Sequence, residues 1–141
     1  MIAIVRYIKT KVCITLILLT LVPGYVFCKS DFSAAYQVDD QVITNYDIDQ
    51  VRKLNNLLNG SSIARSEVEK IVISNKIKEI YADRLKIVVS SAELNLQIDD
   101  FLKSNKITNK ELTSLLRSKG IDIETFYNFV KENISWQKVL D

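Results

Sequence analysis

Catalysis needs nucleophiles, acid–base groups or metal ligands at workable spacing, and this sequence offers few. Its 141 residues include no histidine, which removes histidine-based triads, imidazole acid–base catalysis and histidine metal sites. The two cysteines, Cys13 and Cys28, lie in the first 28 residues, and the three glycines, Gly24, Gly60 and Gly120, are too scattered for a phosphate-cradling loop. Carboxylates are plentiful, but most fall at helix-cap positions or on polar helix faces. Asp39-Asp40 could be imagined as an acid pair or a weak cation site, but it reads as the turn between two short extended segments and as such needs no function. No catalytic residue, metal ligand or cofactor is assigned.

The first 28 residues carry an address. Arg6, Lys9 and Lys11 stand without an acidic residue before the apolar run Val12 to Val22, and Pro23-Gly24 follows. This is the n-region and h-region of a secretory signal. The run is shorter than the ~20 apolar residues of a spanning helix, so we expect cleavage after Cys28, with an uncleaved inner-membrane anchor as the alternative. A lipoprotein signal is disfavoured because Phe27 occupies a position that needs a small residue. Loss of the segment takes the formal charge from +2 to −1, so the precursor's basic balance gives no support for nucleic-acid binding. It also takes both cysteines, and residues 29–141 must hold together through one apolar core.

Within residues 29–141 the pattern is mainly α, a small orthogonal domain of about five helices preceded by a short β-hairpin. Ala35 to Ile43 alternates as a hairpin around Asp39-Asp40. Thr44 caps a first helix, with Asp47 in its first turn and Asn59-Gly60 at its end. Ser66 to Leu85 runs without Gly or Pro, and its apolar residues spread around most of the circumference. That spread predicts a central helix covered on several sides. Ser90 with Glu93 and Thr108 with Glu111 are capping-box pairs that start two more helices, the second stopped by Gly120. Asp122 is expected to cap a last helix running to about Leu140.

On that last helix Ile123, Phe126, Tyr127, Phe129, Val130, Ile134, Trp136 and Leu140 occupy roughly half the circumference, wider than the ~100° stripe that a single core requires. The surplus face suits a further helix of the same fold, a second copy of the chain or an unfolded client. Equally, the helix could pack between two layers of its own domain.

The order of these elements resembles a known family. YQVDDQVITNYDID is similar to the hairpin and first helix that open the SurA-type periplasmic chaperones. RLKIVVSSAEL resembles their inter-helix link and cap, and NKITNKELTSLLRSKGIDIETFYNFVKENI their short helix, glycine stop and closing helix. The resemblance covers about Ala34 to Leu140. It implies export to the periplasm and binding of unfolded outer-membrane or envelope polypeptides, with a preference for aromatic-rich extended segments. In larger members this module precedes parvulin-type prolyl isomerase domains and a C-terminal helix that completes the core, and the present sequence matches neither.

Together these readings point to a non-catalytic, ATP-independent holdase with an apolar groove on the central and last helices. Phe126, Phe129 and Trp136 are the expected client-binding side chains, with Tyr81 and Tyr127 behind them. The alternatives are an interaction module completed by a partner helix or a homodimer, and the remnant of a longer chaperone. The membrane would be met only through the signal segment, if it stays uncleaved.

Overall fold

The computed structural model describes residues 32–141; the expected signal segment and cleavage site lie outside the described residues. Strands β1 (Ala34–Val38) and β2 (Gln41–Thr44) form an antiparallel hairpin. Five helices follow: α1 (Asn45–Asn59), α2 (Arg65–Arg84), α3 (Ser91–Asn105), α4 (Asn109–Ser118) and α5 (Ile123–Leu140). This is the mainly α architecture with a leading hairpin that the pattern predicts.

Local signals set most of the boundaries. Asp39 turns the hairpin in the left-handed region at φ 58°, a conformation that Asp tolerates better than most residues. Three helices open on reciprocal capping boxes, Thr44 with Asp47, Ser90 with Glu93 and Thr108 with Glu111. In the first of them Asp47 does the work usual for a longer Glu, its carboxylate accepting from the Thr44 backbone N–H at 2.8 Å. Asp122 stands at the N-cap of α5, but its side chain makes no cap bond. Its carboxylate instead accepts a hydrogen bond from the Tyr46 hydroxyl.

Helices α2, α3 and α4 share one ending. Lys86, Lys106 and Gly120 adopt left-handed conformations, and the N–H of the isoleucine that follows each reaches back to Ala82, Leu102 and Leu116 respectively. These are Schellman turns, in which an apolar residue after the left-handed position folds over the last helical turn. Ile121 is buried and Ile87 and Ile107 are half-buried.

Packing divides the interior into two clusters. Leu54, Ile98, Leu102, Leu112, Leu116, Ile121 and Phe126 form the larger, joining α1, α3, α4 and α5. Ile43, Ile48, Val68 and Val72 form the smaller, where the hairpin closes on α1 and α2. A single buried glutamine, Gln50, stitches α1 to the α4–α5 turn. Its Nε2 donates to the Gly120 carbonyl at 3.1 Å, and its Oε1 accepts from the Asp122 N–H at 2.9 Å and the Thr125 hydroxyl at 3.3 Å.

One expectation is corrected. The helix that touches every other helix is α5, whereas α2 packs mainly on α1, α5 and β1. Along α2, Val68, Val72 and Ala82 are buried, but Ile77, Tyr81 and Leu85 are about half exposed. The scattered apolar residues of α2 therefore mark a helix covered along its first half and open along one side of its second.

Candidate functional site

Asn128, Phe129, Glu132 and Trp136 of α5 border an open cleft against α2, and the cleft has two lobes. One, of about 470 Å³, lies between α2 and α5 and is bounded by the link Ile87–Val89; Trp136, Phe129, Ile71 and Val88 supply its apolar surface. The other, of about 790 Å³, lies among α1, α2 and α5 and is lined also by Val42 on the hairpin and Leu58 on α1. The lobes share Ile71, Asn75 and Lys76 from α2 and Asn128, Phe129 and Glu132 from α5, so they meet across a saddle at mid-length of both helices.

Helical spacing explains which α5 residues line it. Phe129, Glu132 and Trp136 fall at i, i+3 and i+7 and project from one side, while Phe126 and Val130 turn toward the larger cluster. Phe129 is 38% exposed and lines both lobes. Trp136 is half-buried, with the Lys78 ammonium 5.3 Å from its ring centroid, a distance at which the ring face attracts the cation.

Of the five residues singled out from the sequence, Phe129 and Trp136 line this cleft. Phe126 is fully buried, its ring 5.1 Å from that of Phe101, and Tyr127 packs beside it on the same cluster. Both therefore sit behind the cleft surface. Tyr81 is exposed but borders neither lobe. Sequence reasoning passed over Ile71, Asn75, Asn128 and Glu132. The available signal was Glu132 itself, a carboxylate at the margin of the apolar arc of α5, three residues from Phe129 and four from Trp136.

The electrostatics of the saddle are uneven. Burial, assisted by the nearby Glu79 carboxylate, raises the Glu132 pKa, against the pull of Lys76, Lys78 and the adjacent Asn75 side chain. At the Trp136 end, Lys138 Nζ binds Glu93 Oε1 at 2.5 Å and the Val88 carbonyl at 2.8 Å. This contact fastens the link and the start of α3 to the end of α5. The Glu93 carboxyl, held by Lys138 and by its cap bonds to Ser90, drops to about 2. Among the described residues no group of three or more Asp, Glu, His or Cys is arranged to hold a metal ion, and no helix is long and apolar enough to cross a membrane. What the arrangement can do chemically is cover apolar side chains and offer hydrogen bonds and charge around them.

The profile of the SurA-like N-terminal domain matches residues 1–140. The chain belongs to the SurA-like N-terminal domain family. A similar solved structure comes from work on the virulence factor PEB4 and the periplasmic protein Cj1289, two SurA-like chaperones of Campylobacter jejuni. Its identity to this chain is 30% and its TM-score 0.45, over 75% of this chain and 40% of that one. The SurA-like chain thus spans well under half the length of that solved chain. No curated protein matches it significantly.

Proposed function

We propose that this chain acts as an ATP-independent holdase, exported to the periplasm by residues 1–28, that captures unfolded outer-membrane or envelope polypeptides in the α2/α5 cleft. The observation that carries the reading is the cleft itself, an open concave surface with Phe129 and Trp136 presented on one helix. Membership in the SurA-like N-terminal domain family supports a chaperone-type role.

Covering an apolar side chain of this size contributes about 1.5–3 kcal/mol. Two such anchors, set against the entropy of immobilising a client, give weak and reversible capture, as a holdase that must release its client without ATP requires. The sole tryptophan provides the test. Titration of the chain with a tryptophan-free, aromatic-rich unfolded outer-membrane segment should shift Trp136 emission saturably. Phe129→Ala with Trp136→Ala should weaken binding about tenfold or more in an unlabelled assay while helicity is retained. Unchanged binding by the folded double variant would remove the cleft from the mechanism.

The same reading makes the role non-catalytic. A proline-limited refolding assay is expected to show no rate enhancement.

A second reading rests on a different surface. Ile77, Tyr81 and Leu85 recur every four residues and form a half-exposed stripe along the second half of α2, which suits a partner helix or a second copy. Sedimentation that stays monomeric to high concentration would count against self-association through it.

A further inference from the structure

Glu132 occupies the saddle shared by both lobes of the cleft, half-buried and flanked by the apolar surfaces of Ile71 and Phe129. Of the three lysines that line the same lobe, Lys76 and Lys78 have other partners, and Lys131 forms no ion pair with Glu132. Lys76 Nζ is bound to Glu79 Oε2 at 2.6 Å, and Lys78 sits over the Trp136 ring. Among the described residues no lysine or arginine nitrogen lies within 4.0 Å of the Glu132 carboxylate. A carboxylate partly removed from water without a close counter-charge is a costly group, and a cation delivered to it from outside gains more there than at an exposed site. The direction of its titration agrees, since burial and Glu79 both disfavour its charged form.

We propose that Glu132 is the anionic anchor of the cleft and selects extended clients in which an arginine or lysine lies next to aromatic residues. The aromatic side chains would rest on Phe129 and Trp136 while the basic head group reaches the saddle between them. Arginine suits the position best, because its planar guanidinium can pair with a carboxylate in two parallel hydrogen bonds and still lie against an aromatic face. This proposal rests on the cleft being the client site. It adds a charge preference to an otherwise apolar reading.

The test uses the full chain and two fluorescein-labelled, tryptophan-free nonapeptides with two phenylalanines flanking one central residue. That residue is arginine in one peptide and citrulline, its neutral isostere, in the other. Fluorescence anisotropy at low salt should show the arginine peptide binding about tenfold more tightly. In Glu132→Gln the arginine peptide should lose most of its advantage, the difference shrinking below about twofold; in Asp83→Asn, which alters an acid at the edge of one lobe, it should persist. Equal affinity of the two peptides for the unmodified chain would overturn the anchor and leave the apolar cleft standing, as would a preference that survives Glu132→Gln or vanishes in Asp83→Asn. Binding of neither peptide would overturn the cleft as client site and the anchor with it.

Discussion

Phe126 and Phe129 are three residues apart on one helix, yet their surroundings assign them opposite roles. Phe126 is wholly enclosed by the larger cluster, so Phe126→Ala should cost about 3–5 kcal/mol in urea denaturation. Phe129→Ala removes a side chain that is more than a third exposed and should cost about 1 kcal/mol or less. Comparable losses would mean that Phe129 belongs to the core. Glu132 gives a pH-dependent counterpart. Its native pKa is raised, so the folded protein holds this proton to higher pH than the unfolded chain does. Its contribution to stability is complete below the unfolded carboxyl value and declines as pH rises through the native one. Glu132→Gln should therefore unfold at a higher temperature than the parent at pH 7, with the difference closing near pH 4. At this scale residue types were legible and orientation was not. The sequence marks Phe126, Phe129 and Trp136 as one apolar arc, but only packing against α3 and α4 separates the buried member from the two that face the cleft.

Among the elements, the beginnings of helices were easier to read than their ends. Capping boxes are local patterns of two residues, and Ser90/Glu93 and Thr108/Glu111 could be found without tertiary information. The Schellman ends at Lys86 and Lys106 lack the glycine that advertises such a turn, and Lys86 to Val89 looks in sequence like a β-branched link. Since a residue with a Cβ is strained in the left-handed region, Lys106→Gly should raise stability by about 0.5 kcal/mol. At Gly120, already left-handed at φ 64°, substitution by Ala should lower it by about 1 kcal/mol. Glu93 joins two elements, capping α3 and holding the end of α5 through Lys138. Its carboxyl is lowered to about 2, so its stabilisation is complete above the unfolded carboxyl value and is lost as pH falls toward 2. Glu93→Gln should make unfolding less sensitive to acid across that window, measured as a smaller drop in midpoint between pH 5 and pH 2.

Across the whole molecule, two clusters are held together by α1, α5 and the Gln50 bridge, and the cleft lies where α2 and α5 separate between them. This arrangement could not be read from α2 alone. An apolar residue spread around a helix looks the same whether a neighbour covers it or not, and the covering partner, α5, lies some fifty residues further along the chain. The division makes a graded pattern of local stability. Amides of α2 near Val68 and Val72 sit over a buried cluster, whereas those from Ile77 to Arg84 lie along a half-exposed stripe and should exchange with solvent faster. A peptide bound in the cleft covers both of its walls without touching the far side of the larger cluster. It should therefore slow exchange in residues 71–79 and 128–136 and leave Leu112–Leu116 of α4 unchanged when peptide concentration is kept near its dissociation constant. Uniform protection of every helix would indicate only a global gain in stability from binding. Protection confined to 77–85 would move the client from the cleft to the outer stripe of α2. The measurement distinguishes the two surfaces without altering a residue of either.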